Sequence, residues 1–131
     1  MTCYQRTNRT KYLIVYHFIF VVKYRKPLLN QYGQEMKNIF RRIAMSSDFT
    51  IKELEVEGDH IHVLVTSLPR ISPAQIVRRL KAESTKHIWQ NHPELKQDFW
   101  KERTFWSDGY FCTSIGNASI ETIRQYIANQ G

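Results

Sequence analysis

Cysteine is scarce in this chain, and the two present, Cys3 and Cys112, stand far apart and match neither zinc-ligand spacing nor a CxxC redox pair. A disulfide framework is thereby excluded, so the fold has to rest on buried apolar surface. Apolar runs of membrane length are missing, and the opening residues Met1-Thr2-Cys3-Tyr4-Gln5-Arg6 contain no apolar leader segment. These absences set the expectation of a cytosolic protein with no membrane attachment. Acidic residues fall short of basic ones, 12 Asp and Glu against 19 Lys and Arg, which leaves a net charge of +7. A surplus of that size on a small domain favours a polyanionic partner, nucleic acid before anionic lipid. Glycine and proline are too few, 5 and 4, for a low-complexity tract, and the 42% apolar content excludes a disordered chain. The 131 residues suffice for one domain spanning 1–131, with a real core, and not for two.

What is present falls into alternating segments. Residues 1–11 are polar and basic, the composition of a flexible arm. Tyr12 to Val22 is β-branched and aromatic throughout and reads as a central strand, with His17 inside it as a hydrogen-bonded core residue. Lys23-Tyr24-Arg25-Lys26 then sets cations around an aromatic ring, suited to phosphate contact and base stacking or, equally, to a solvated loop. Tyr32, Met36, Ile39, Phe40, Ile43 and Ala44 recur at helical spacing, predicting an amphipathic helix over 32–47.

Thr50 to Glu57 alternates as a strand, and Gly58-Asp59 turns it into a second apolar strand, an antiparallel hairpin. Ser72-Pro73-Ala74-Gln75 carries the signature of a capping box and predicts a helix running to His87 or Trp89. Its inner stripe is Ile76, Val77, Leu80, Ser84 and Ile88, while Arg78, Arg79, Lys81 and Lys86 supply cations for nucleic acid or for solvent. His87 and His92 read as surface residues, and 94–103 as an irregular loop anchored by Trp100. A turn at Ser107-Asp108-Gly109 feeds a strand over 110–115, and Gly116 to Ser119 opens a last helix over 120–130. The order strand, helix, strand, strand, helix, strand is the split β-α-β pattern. It predicts an α+β, ferredoxin-like sandwich with an antiparallel sheet and an extra C-terminal helix.

One stretch is chemically unusual. In a strand beginning His60-Ile61-His62-Val63-Leu64-Val65, side chains alternate, so His60 and His62 share one face while Ile61, Val63 and Val65 share the other. The second face is ordinary core. The first offers two adjacent imidazoles, either to one metal ion or to solvent. On the last helix Thr122, Tyr126 and Gln130 are spaced four apart on one side. If the open sheet face meets that helix, Gln130 is placed to be a third ligand beside His60 and His62. Mixed nitrogen and oxygen ligation suits Mg²⁺ or Mn²⁺, which would polarise a phosphate for attack by Tyr126, whose hydroxyl is a weak nucleophile unaided.

Tyr16-His17-Phe18-Ile19-Phe20 with Lys23-Tyr24-Arg25, then Asp59-His60-Ile61-His62, Trp106 with Asp108-Gly109-Tyr110, and Ile123-Arg124-Gln125-Tyr126 with Asn129-Gln130 make a longer pattern. In this order it resembles the HUH single-tyrosine transposases of the smallest bacterial and archaeal insertion sequences. The resemblance implies a DNA strand-transferring enzyme, with His60, His62 and Gln130 on the metal and Tyr126 as nucleophile toward single-stranded DNA. It further implies a 5′-phosphotyrosine intermediate and a homodimer with active sites shared between subunits. DNA hairpins would be held by residues such as Lys23, Tyr24, Arg25, Arg78, Arg79 and Lys81. Two alternatives stay open from residues alone: a ferredoxin-like nucleic-acid binder without chemistry, and a metal-dependent phosphodiesterase using water.

Overall fold

The computed structural model describes residues 5–6, 11–99 and 103–115; Trp100 and the expected last helix with Tyr126 and Gln130 lie outside the described residues. Where the expected arm meets the strand expected from Tyr12, β1 (Gln5–Arg6) pairs antiparallel with β2 (Lys11–Tyr12), and the central strand itself begins only at Val15. The rest is one antiparallel sheet of β3 (Val15–Val21), β4 (Thr50–Glu57), β5 (His60–Thr66) and β6 (Phe111–Ile115), in the order β4-β5-β3-β6. That order, with α1 (Leu29–Met45) crossing from β3 to β4 and α2 (Pro73–Asn91) following β5, is the predicted split β-α-β arrangement. The fold is α+β.

Alternation along the strands decides what is buried. Phe18, Phe20, Leu54, Ile61, Val63 and Val65 belong to the core with Met36, Ile39, Phe40 and Ile43 of α1 and Ile76, Leu80 and Ile88 of α2. Trp106 fills the centre, fully buried among Phe20, Phe40 and Phe105, and its indole N–H donates to Ser84 Oγ at 2.9 Å. The segment expected to be an irregular loop forms 3-10 turns over Pro93–Phe99 instead. Leu95 and Phe99, four residues apart in a polar stretch, bury their side chains, and Phe99 packs on Trp89 and Phe105.

The helices start and stop for different reasons. The capping box of α2 is formed as its sequence predicts: Gln75 N–H donates to Ser72 Oγ at 3.2 Å, and Ser72 N–H donates to Gln75 Oε1 at 2.8 Å. The start of α1 has no side-chain cap; Leu29 N–H donates to Gly58 O in the β4-β5 turn at 2.8 Å. A tertiary cap leaves no local signature, which is why periodicity alone started this helix at residue 32. Gly33 lets α1 lie close on β4, because a Cβ there would stand 2.7 Å from Val56 Cγ2.

His92 corrects its expected role as a mere surface residue. Its Nε2 meets Glu35 Oε1 at 2.7 Å, and Asn91 donates to Glu35 Oε2 at 2.9 Å, fastening the end of α2 to the first half of α1. At the opposite end Arg79 Nη2 donates to Ser46 O and Oγ, each at 3.0 Å. The helices are thus clamped antiparallel at both ends. The hydrogen bond to Glu35 raises the His92 pKa above its ordinary 6.5. Burial pushes Glu35 up, but its bonds from His92 and Asn91 outweigh this and hold it below the ordinary 4.5.

Two outcomes follow. Gly33→Ala is expected to destabilise by up to about 2 kcal/mol in urea titration, because an overpacking cost of about 1–3 kcal/mol against Val56 is only partly offset by the roughly 1 kcal/mol gained in helix propensity. Val56→Ala in the same chain should relieve most of that loss, so the two changes are non-additive. The His92 contribution to stability should be full below its unfolded pKa and vanish as pH rises through its raised folded value. The Glu35 contribution should vanish as pH falls through its lowered value. Thermal midpoints of the parent and His92→Gln should therefore differ most at mildly acidic pH and converge above the folded pKa of His92.

Candidate active site

The histidine strand is held by its turn. Gly58 adopts φ +40°, Val22 N–H donates to Asp59 O at 2.8 Å, and Leu29 N–H donates to Gly58 O, so the end of β3 and the start of α1 both grip the two turn residues. From that turn the antiparallel register places Glu57 opposite His60 and Glu55 opposite His62. Neighbouring β3 sets Ile19 opposite His62 and Val21 opposite His60.

Each imidazole has one nitrogen occupied by a fixed partner. His60 Nδ1 lies 3.1 Å from Asp59 Oδ1, and a carboxylate can only accept, so Nδ1 carries a proton. Asp59 Oδ2 accepts from Arg25 Nε at 3.0 Å. Burial raises the Asp59 pKa, but the bonds from His60 and Arg25 outweigh it and hold this carboxyl below its ordinary value. His60 Nε2 stands 3.7 Å from Glu57 Oε2.

His62 is bonded on both sides, with Nε2 at 2.7 Å from Glu55 Oε2 and Nδ1 at 3.3 Å from His17 Nε2. The carboxylate again decides the tautomer: His62 donates from Nε2 and accepts at Nδ1, so His17 donates from Nε2. The remaining His17 Nδ1 is buried and has no partner among the described residues. His17 is 1% exposed, and burial followed by the neighbouring His62 lowers its pKa to about 4, which keeps the ring neutral. The expected core histidine is therefore also the buried neighbour of His62.

Sequence reasoning passed over Glu55. The signal was available, because counting back from a two-residue turn puts residue 55 across from residue 62 on the same face.

Two imidazoles on one rigid strand, each with its outer nitrogen toward an exposed carboxylate, Glu57 for His60 and Glu55 for His62, fit the nitrogen half of a mixed-ligand cation site. Among the described residues no three His, Cys, Asp or Glu side chains are grouped closely enough to hold an ion, so the pair requires a further donor. Gln130, the expected third ligand, and Tyr126, the expected nucleophile, lie outside the described residues.

The six residues expected to contact DNA separate into distinct environments. Lys23, Tyr24 and Arg25 form a 3-10 turn after β3 in which Tyr24 and Arg25 both take left-handed backbone angles, φ 62° and 53°. Such angles cost roughly 1–2 kcal/mol for each L residue. Backbone bonds from Lys23 N–H to Phe105 O and from Arg25 N–H to Val22 O, at 2.9 and 2.8 Å, hold the turn in place. It leaves the Tyr24 ring exposed, sets Lys23 Nζ 3.2 Å from Asp108, and carries Arg25 to Asp59.

Arg78 projects from α2 into solvent and makes no hydrogen bond or ion pair among the described residues. Arg79 is engaged instead by Glu83 and Ser46. Lys81 departs furthest from a free cation: its Nζ donates to the carbonyls of Ser107, Asp108 and Gly109 at 2.7, 3.2 and 2.9 Å, beside the rings of Phe20 and Tyr110. Burial lowers its pKa. Periodicity located these residues on the helix but could not tell which cations the core loop would claim.

The sequence profile of the transposase family described as IS200-like matches residues 10–130. The chain is 29% identical over 120 residues to the ISDra2 transposase TnpA of Deinococcus radiodurans, covering 91% of this chain and 85% of that protein. It is 29% identical over 124 residues to the transposase for insertion sequence element IS200 of Salmonella typhimurium, covering 92% and 79%. A crystal structure of a Deinococcus radiodurans protein assigned as a transposase superposes with a TM-score of 0.80 at 29% identity, over 96% of this chain and 97% of that one. A REP-associated tyrosine transposase bound to a REP hairpin shares the fold, with a TM-score of 0.61 at 17% identity over 97% and 68%. No helix among the described residues is long and apolar enough to cross a membrane.

Lys81→Met is expected to lower stability by about 1.5–3 kcal/mol, since it strips a charged donor from three carbonyls and the methionine offers none. Arg78→Ala should stay within about 0.5 kcal/mol of the parent. Urea titration of the two variants against the parent checks both.

Proposed function

The chain belongs to the IS200-like transposase family, and on that premise we propose that it cleaves and rejoins single-stranded DNA at the ends of a mobile element through a covalent tyrosine intermediate. The observation that carries this reading is the pair His60 and His62, fixed side by side on β5. Asp59 and Arg25 orient the first, and the buried His17 backs the second. Side chains locked by hydrogen bonds on a sheet are what a precise phosphate site requires. The net charge of +7 and the exposed Tyr24 and Arg78 are what a single strand requires of a binding surface.

In this reading His60, His62 and Gln130 hold a divalent ion, Mg²⁺ or Mn²⁺, which supplies polarisation of the scissile phosphate and charge neutralisation around it. Tyr126 Oη attacks the phosphorus, the bond to O3′ breaks, and the DNA leaves a 3′-hydroxyl on one side and a 5′-phosphotyrosine on the other. Rejoining reverses the step: a 3′-hydroxyl attacks the phosphotyrosine and Tyr126 departs, so no external energy source is consumed. Lys23, Tyr24, Arg25 and Arg78 contact a hairpin near the cleavage point. The family resemblance supports a homodimer with active sites shared between subunits.

The test uses hairpin-bearing single strands labelled at either end, incubated with the protein and Mg²⁺ or Mn²⁺ and run on denaturing gels. A covalent adduct should appear on the 3′-labelled fragment and be abolished by Tyr126→Phe, by His60→Ala and by EDTA. Cleavage without an adduct would replace this reading with hydrolysis by water. Salt-sensitive binding that is indifferent to His60→Ala and EDTA, with no cleavage, would make the chain a binding module.

A further inference from the structure

Arg25 occupies an odd position for a simple DNA contact. Two consecutive left-handed residues bring it back over the β4-β5 turn, and it spends Nε on Asp59 Oδ2 at 3.0 Å. The other oxygen of the same carboxylate faces His60 Nδ1 at 3.1 Å. Asp59 is thereby held on both oxygens, by a cation on one and an imidazole on the other. The Asp59 backbone is independently fixed through Val22, so the side-chain torsions are what Arg25 restrains. The Arg25 side chain is 68% exposed, and its terminal nitrogens carry no bond among the described residues. A guanidinium can serve a carboxylate on one edge and a phosphate on the other, which a lysine ammonium cannot do with the same geometry.

We propose that Arg25 is a positioning residue for His60: acting through Asp59 it fixes the imidazole as the Nδ1–H tautomer with Nε2 facing the site, while its outer edge receives a phosphate of the bound strand. Strand binding and ligand orientation are then joined in one side chain. Lys23, in the same turn, is aimed at Asp108 instead. The phosphate half of the proposal rests on the DNA-cleaving function above; the orientation half does not.

The experiment reads the tautomer directly, in metal-free and DNA-free protein, from long-range ¹H–¹⁵N imidazole spectra. His60 should show the Nδ1–H pattern in the parent. Arg25→Ala and Arg25→Lys should both give a mixture of tautomers at His60, while Arg78→Ala, which removes the same charge elsewhere, should leave it unchanged. The signals of His17 and His92 in the same spectra report whether each variant is folded, and Arg25→Lys is read alone if the alanine form is not. Mn²⁺ titration without DNA should then show affinity weakened about 10-fold or more in Arg25→Ala. The double variant with Asp59→Asn should be no weaker than Asp59→Asn alone. An unchanged His60 tautomer in the folded Arg25 variants overturns the proposal, as does an equal disturbance in Arg78→Ala. A parent chain that forms no DNA adduct sinks the functional reading and leaves the tautomer result standing.

Discussion

Two backbone hydrogen bonds onto the Gly58-Asp59 turn, from Val22 and from Leu29, set most of what matters in this molecule. They join the end of β3, the start of α1 and the β4-β5 hairpin at one corner. Because side chains alternate along a strand, a turn displaced by one residue would send His60 and His62 into the helix-covered core and bring Ile61 and Val63 out. The corner therefore fixes at once which face is core and which face carries the two histidines. It also caps α1, so the first helix and the histidine strand cannot shift independently.

The positive charge of the chain is not a uniform coat. Lys81 is drawn into the fold to gather the carbonyls of residues 107–109, and Arg79 ties α2 to the end of α1. Lys23 and Arg25 hold the two flanks of the turn after β3, one toward Asp108 and the other toward Asp59. The loop that Lys81 organises is the same one that Lys23 grips, so the second helix supports the histidine corner at one remove. A net charge of +7 overstates the cations available to a polyanion, since several are already engaged.

Most of the fold was legible because its signals are local. Strand alternation, the Ser72 capping box and the Gly58-Asp59 turn each act within a few residues, and the element order then left few topologies to consider. What was missed depends on distant partners. The start of α1 is capped by a carbonyl nearly thirty residues later, the turns of Pro93–Phe99 form to bury Leu95 and to set Phe99 against Trp89, and His92 finds Glu35 across two helices. For the site, the two histidines were visible from spacing and Glu55 could be counted back from the turn, whereas the roles of His17 and Arg25 follow from pairing with the distant strand β3 and from a strained turn. Neither a register nor a positive φ at tyrosine and arginine is written in residue type.

The two histidines are not equivalent in their surroundings. His60 keeps a proton on the Asp59 side, and its Nε2 stands 3.7 Å from the exposed Glu57 carboxylate. His62 gives its Nε2 proton to a bond with Glu55, so it must shift tautomer or lose that bond before the nitrogen can serve a cation. Under the proposed metal role the side that would yield is Glu55, whose side chain is 57% exposed, and not His17, which is 1% exposed and whose other nitrogen has no partner among the described residues. Displacing His17 would strand a second buried nitrogen, so the buried ring is the side of His62 that stays fixed.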